Sequence, residues 1–195
     1  MPLHRILDYA HLLIKENLSP NGVVIDGTCG NGHDTLFLAS LMEESGHVYA
    51  FDIQEKAITE TSSRLEENKL RGRVSLIHDS HANVDEHLSE DHRDRLQGAI
   101  FNLGYLPGSD KSVVTTSGDT ILSVEKILSM LDKGGLVVLG VYHGHEGGQQ
   151  EKEALIEFVQ NLDQKKVKAL HYGFMNIQNN PPFIIALEKQ KPGPL

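Results

Sequence analysis

Residues able to do chemistry fall at the ends of apolar runs in this chain. Val23-Val24-Ile25 leads into Asp26-Gly27-Thr28-Cys29-Gly30-Asn31-Gly32-His33-Asp34-Thr35. This is a buried strand entering a glycine loop, with a helix predicted to follow over Asp34–Met42. Gly30 and Gly32 allow a sharp turn and a close approach of ligand to backbone. Asp26 closes the strand at its carboxyl end, where open α/β sheets place their ligands. A second apolar run, Val48–Phe51, ends at Asp52, an acid placed to accept both hydroxyls of a ribose, with Gln54 just beyond it. Strand, glycine loop, helix, strand and acid together predict a nucleoside-containing cofactor.

The loop departs from the dinucleotide fingerprint. From Gly30 it reads Gly-Asn-Gly-His-Asp-Thr, so Thr35 stands where the third glycine belongs. Asp34 puts a carboxylate at the helix start, which suits the helix dipole but repels a pyrophosphate, and Asp26 adds to that repulsion. A cofactor with an ammonium group and no phosphate fits better. S-adenosylmethionine, with its amino-acid end and sulfonium, meets that requirement. A nicotinamide-dependent oxidoreductase on a similar sheet is the alternative the loop disfavours.

Three further strand ends carry polar groups. The third leads into His78-Asp79-Ser80-His81-Ala82-Asn83, where Asp79 is placed to accept the exocyclic amine of an adenine, or else to cap a turn. The fourth leads into Phe101-Asn102-Leu103-Gly104-Tyr105-Leu106-Pro107-Gly108. There Asn102 offers a carbonyl to a substrate N–H and Tyr105 a flat face for a base. Amino-methylating enzymes often carry Asn-Pro-Pro-Tyr at this location, and Asn-Leu-Gly-Tyr is a looser version. The fifth leads into Tyr142-His143-Gly144-His145-Glu146, whose histidines are candidates for taking a proton. A third ligand is missing near that pair, so no metal site is expected. Asn176, Asn179 and Asn180, before Pro181-Pro182, have amides that can read base edges. Cys29 lies in the cofactor loop rather than after the fourth strand. It reads as a small buried residue, and covalent activation of a pyrimidine carbon is disfavoured in favour of transfer to nitrogen or oxygen.

The elements that position these residues alternate. Strands are predicted at Val23–Asp26, Val48–Asp52, Val74–Ile77, Ala99–Asn102 and Leu136–Tyr142. Helices are predicted at His4–Asn17, Asp34–Met42, Gln54–Asn68, Gly118–Leu131 and Gln149–Asp163. The first helix should carry Ile6, Leu7, Ala10, Leu13 and Ile14 on one face. Two closing strands, Lys168–Phe174 and Phe183–Glu188, have no helix between them, so one of them should run antiparallel. The expectation is an α/β fold, a single Rossmann-like domain over residues 1–195 with a seven-stranded, mostly parallel sheet and helices on both faces. The loops at Leu103–Ser117 and Gly173–Pro182 are long enough to face a substrate.

Composition narrows the classes. The chain of 195 residues is long enough for one domain with a real core, and the one cysteine excludes an internal disulfide. An apolar content of 39% with no long uncharged run argues against a membrane span. Asp8 and His11 interrupt the opening apolar stretch, so a signal peptide is not expected and the cytoplasm is the expected compartment. With 18 Lys plus Arg against 27 Asp plus Glu, the net charge of −9 disfavours non-specific binding to nucleic acid. Any basic patch must be local, with Lys165, Lys166 and Lys168, or Arg71 and Arg73, as candidates. A homodimer is one way to assemble a positive surface on such a body.

Taken together, these segments resemble class I S-adenosylmethionine-dependent methyltransferases. More narrowly they resemble the small bacterial family labelled rRNA methylases, which includes tRNA 5-aminomethyl-2-thiouridine methyltransferases. The matching stretches are Asp-Gly-Thr-Cys-Gly-Asn-Gly-His-Asp-Thr, Phe-Asp-Ile-Gln, His-Asp-Ser-His, Asn-Leu-Gly-Tyr-Leu-Pro-Gly-Ser-Asp-Lys, Tyr-His-Gly-His and Asn-Asn-Pro-Pro. Ser109 stands where a glycine is expected. The resemblance implies that Asp26, Gly30, Asn31 and Gly32, with Cys29, Asp34 and Thr35 beside them, cradle the methionine end. It implies that Asp52 and Gln54 hold the ribose and adenine edge, with Asp79, Ser80 and His81 near the adenine. Asn102, Leu103, Gly104 and Tyr105 then face the acceptor, with Pro107, Asp110 and Lys111 in the same motif. The implied partner is a tRNA anticodon loop, with rRNA or a small metabolite as alternative acceptors.

Overall fold

The computed structural model describes residues 3–104, 116–144 and 147–195. All seven described strands share one sheet. They are β1 (Val23–Asp26), β2 (His47–Asp52), β3 (Val74–His78), β4 (Leu96–Leu103), β5 (Leu136–Val141), β6 (Val167–Tyr172) and β7 (Phe183–Lys189). Their order is β3-β2-β1-β4-β5-β7-β6, and β7 runs antiparallel to both β5 and β6. The expected antiparallel closing strand is therefore β7. Inserted between β5 and β6, it makes β6 the sheet edge.

Alternation along the strands sorts the core into two layers, because successive side chains point to opposite faces. Val23, Ile25, Tyr49, Phe51, Ala99, Phe101, Val137 and Leu139 face one layer. Three helices cover it, α4 (Val84–His87), α6 (Ser117–Met130) and α7 (Gly148–Gln160). Val24, Val48, Ala50, Ile100 and Val138 face the other. That layer is covered by α1 (Ile6–Asn17), α2 (His33–Leu41) and α3 (Glu55–Glu67). A one-turn helix, α5 (Glu90–Arg93), precedes β4.

The predicted elements are present, with shifted ends. The short helical turns between His81 and Arg93 were not predicted, because runs of three or four residues show no periodicity. Strand β4 begins at Leu96, three residues early. Its opening Leu-Gln-Gly looks like a turn, but Gln97 holds Ser19 and Asn17, and a Cβ on Gly98 would lie 2.7 Å from the Leu136 carbonyl on β5. On α1, Ile6, Ala10 and Ile14 are buried, whereas Leu7 is 41% exposed and turns toward the ligand cavity.

Candidate functional site

The chain leaves β1 for β2 and β3 on one side, then returns to place β4 on the other. The β1/β4 border is thus the topological switch point, where a crevice opens beyond the strand ends. A cavity of about 530 Å³ lies there, within the usual range for small-molecule sites. Its wall takes residues from five strand ends: Gly27–Asn31 after β1, Asp52–Gln54 after β2, Ser80 and His81 after β3, Asn102–Gly104 from β4, and Tyr142–Gly144 after β5. His33 and Asp34 on α2, with Leu7, Thr116, Asp119 and Asn180, complete it from outside the sheet.

Beneath the cavity the first loop is pinned on every side. Gly30 N–H donates to Asp52 Oδ2 at 3.0 Å, and Thr61 Oγ1 on α3 donates to the Gly30 carbonyl at 3.1 Å. Arg64 Nε donates to the Asn31 carbonyl at 2.7 Å. Two glycines are sterically required. A Cβ on Gly27 would sit 2.0 Å from the Phe101 ring, and Gly32 has φ 78° with Thr61 backbone 3.0 Å from where its Cβ would be. Asp52 Oδ1 also accepts from Gln54 N–H at 2.9 Å, and burial pushes its carboxyl above the usual range. A carboxylate has about four lone-pair positions, so two remain for a diol.

Asp26 is fully buried. Its Oδ2 accepts from Thr35 Oγ1 at 2.6 Å and its Oδ1 from Thr28 N–H at 3.2 Å. Burial, then the nearby Asp34 charge, pushes its carboxyl up to about 7. Burial, then the Asp26 and Asp52 charges, pushes the Cys29 thiol up, so Cys29 is an inert packing residue that also lines the wall.

Asp34 links the loop to the acceptor side. Its Oδ1 lies 2.7 Å from His11 Nε2 on α1, and its Oδ2 accepts from Asn102 Nδ2. The Asn102 main-chain N–H donates to Thr28 Oγ1 at 2.7 Å. Tyr142 lines the wall nearby, its phenol pushed up by burial and by Asp34. Opposite, His143 Nε2 meets the Pro181 carbonyl at 3.2 Å, tying the β6–β7 loop to the end of β5. In that loop Asn179 and Asn180 adopt φ 66° and 54°, a left-handed geometry that asparagine tolerates better than most residues.

The cavity fits a nucleoside with a cationic tail. Its loop end is glycine-floored and flanked by Asp34 and Asp52. On the wall, His81 Nε2 is buried and has no hydrogen-bond partner among the described residues. Burial also lowers the His81 pKa, so the ring is neutral and can take one polar contact from a ligand.

The family model described as "Putative rRNA methylase" matches residues 48–188. The chain belongs to this rRNA methylase family. The "tRNA (mnm5s2U34)-methyltransferase, chloroplastic" of Arabidopsis thaliana is 40% identical over 163 residues, which is 80% of this chain and 59% of that protein. The chain therefore spans less than two thirds of that relative's length. A crystal structure described as a "putative rRNA-methylase" from Clostridium thermocellum superposes with TM-score 0.93 at 39% identity, covering 97% of this chain and 100% of the other. A "putative methyltransferase" from Streptococcus mutans, solved in complex with SAH (S-adenosylhomocysteine), gives TM-score 0.87 at 37% identity, covering 96% and 99%. The fold is that of S-adenosylmethionine-dependent methyltransferases.

Within this rRNA methylase fold several expected site residues hold different posts. Asp79 is absent from the cavity wall. Its carboxylate accepts from Asn83 Nδ2 and Ser80 N–H and meets His87 Nε2 at 2.8 Å, so it organises its own turn, and the His87 contact holds its carboxyl below the usual range. Asp26, Gly32 and Thr35 lie beneath the wall and shape the loop rather than line it. Asn176 and Asn179 are exposed and off the wall, while Asn180 is on it. Arg71 and Arg73 are half-buried, and each donates to a main-chain carbonyl of its surroundings. Tyr105, Pro107, Asp110, Lys111 and His145 lie outside the described residues. Thr28, His33, Ile53, Thr116, Asp119 and Tyr142 on the wall, and His11 behind it, were not among the candidates. Leu7 and His11, one helical turn apart, hinted at a shared face of α1 that reaches the site. Among the described residues, no helix is long and apolar enough to cross a membrane.

Proposed function

We propose that this protein transfers a methyl group from S-adenosylmethionine to the primary amine of 5-aminomethyl-2-thiouridine at the wobble position of a tRNA anticodon loop. Support for the acceptor comes from the name of the Arabidopsis relative and from one geometric observation. Asn102, at the end of β4 on the cavity wall, has its Nδ2 turned to Asp34, leaving its carbonyl as the hydrogen-bonding group for an amine N–H.

The sulfonium of S-adenosylmethionine supplies an electrophilic methyl group. On this chain, Gly27, Gly30 and Asn31 give a backbone floor, Asp52 offers acceptors for a ribose, and Ser80 and His81 stand where an adenine edge would lie. Asp34 and Asp52 favour the cationic tail over a phosphate. An alkylamine acceptor has a pKa of about 10 and arrives as an ammonium. It must release one N–H proton before its lone pair forms the new N–C bond. The Asp34 carboxylate and the His143 ring are the wall groups that can take that proton, directly or through water. His145 is the third candidate. A base drawn out of the anticodon loop would stack on Tyr105 and be aligned for transfer.

Asn102→Ala should lower methyl transfer to tRNA by about a hundredfold. Its affinity for S-adenosylhomocysteine should stay within about twofold. The substrate is bulk tRNA from a strain lacking the gene, assayed with radiolabelled methyl donor. Unchanged turnover would remove Asn102 from the mechanism. Intact methylaminomethyl product in the nucleosides of that strain would reject the wobble-uridine acceptor and favour rRNA or a metabolite. Sedimentation with and without an anticodon stem-loop decides the homodimer expected from the acidic charge.

A further inference from the structure

We infer that His11, on the amino-terminal helix, positions the acceptor-facing amide of Asn102 through Asp34. This rests on the proposal that Asn102 meets the acceptor.

The two ends of an asparagine amide are nearly the same size, so its orientation is set by its neighbours. Asp34 Oδ2 accepts only, and it draws Nδ2 of Asn102 to itself. The carbonyl Oδ1 is thereby left on the other side of the amide, with room beside it because Gly140 on β5 has no side chain; a Cβ there would lie 2.9 Å from it. Thr28 fixes the Asn102 backbone from below. What remains free is the plane of the Asp34 carboxylate, which a single partner does not set.

His11 supplies the second partner. Its Nε2 faces Asp34 Oδ1 at 2.7 Å, so a proton lies between them and Nε2–H is the donor. Its ring stacks on Phe37 with centroids 4.0 Å apart and planes 7° from parallel. Phe37 sits three residues after Asp34 on α2, so ring and carboxylate are held by the same helix turn. His11 is not on the cavity wall, so it acts through Asp34 and is a positioning residue.

The decisive pair of variants separates ring from donor. His11→Phe keeps the stack on Phe37 and removes the N–H. His11→Gln restores an N–H donor. His11→Phe should lower kcat about tenfold, the effect of one lost hydrogen bond in the transition state. The KM for tRNA and the Kd for S-adenosylhomocysteine should stay within about twofold. His11→Gln should recover most of kcat. The Asn102 side-chain amide pair in a nitrogen–proton correlation spectrum, assigned by its loss in Asn102→Ala, should move in His11→Phe and return in His11→Gln. Wild-type kcat with an unmoved amide pair in His11→Phe overturns the inference, as does equal loss in both variants. A wild-type protein that leaves tRNA unmethylated, while the amide pair still moves in His11→Phe alone, overturns the acceptor and keeps the positioning role.

Discussion

The two sides of the cavity are built by different means. The donor side, after β1 and β2, is backbone and buried acid: Gly30 N–H on Asp52, Thr61 on the Gly30 carbonyl, Arg64 on the Asn31 carbonyl, Thr35 on a fully buried Asp26. The acceptor side, after β4 and β5, is side chains on longer connections. There His143 ties down Pro181, two asparagines hold left-handed φ, and Met175 and Ile177 stand exposed in the same β6–β7 loop at 102% and 52%. On the proposed reading the cofactor meets the side fixed by backbone geometry, and the acceptor meets the side built from side chains. Stability and recognition should therefore respond separately to substitution on the two sides.

The sharpest break is on the donor side. Gly27→Ala drives a methyl into the Phe101 ring beneath β4. It should cost about 2 kcal/mol of stability, as overpacked cores do, and should weaken cofactor binding along with it. Thermal unfolding with and without S-adenosylhomocysteine measures both, and an unchanged midpoint would show that this floor can yield.

Asp26 sharpens the comparison through pH. Its folded carboxyl titrates near 7, above an unfolded value near 4. Between these values the folded state binds the extra proton. The contribution of Asp26 is therefore fully present below about pH 4 and is lost as pH rises through about 7. Asp26→Asn keeps the acceptor for Thr35 or Thr28 and cannot ionise. Its stability should fall less than that of the wild type between pH 5 and pH 8 in denaturant titrations. Parallel curves would mean that Asp26 stays charged throughout.

The smallest effect belongs to the acceptor side. Asn180→Ala should raise the KM for the methyl acceptor by a few-fold, roughly one lost hydrogen bond. Left-handed strain on alanine should cost about 1–2 kcal/mol of stability. Cofactor affinity should not move. A fall in cofactor affinity would show that the two sides are not independent.

Much of the donor side was legible. Val23–Asp26 appears as a strand with the bounds read from its apolar run, and Asp52 ends β2 where its acid was expected. Gly30, Asn31 and Gln54 are on the wall. These positions are local: a strand, its closing acid and the next glycines are neighbours in sequence. Asp79 shows the limit. As a strand-end acid it looked like Asp52, yet Asn83 and His87, four and eight residues later, claim its carboxylate. Local spacing does not reveal which of two available partners wins.

The sequence by itself determined the layered α/β sheet and the crevice at the first glycine loop. Each follows from periodicity or from the chemistry of adjacent residues. Only the tertiary structure decided that Asp26 is fully buried on Thr35 beneath the wall, that β7 lies between β5 and β6, and that Asp34 is shared by His11, 23 positions away, and Asn102. Such contacts depend on how helices cross the sheet, and that crossing is fixed by the packing of both core layers at once.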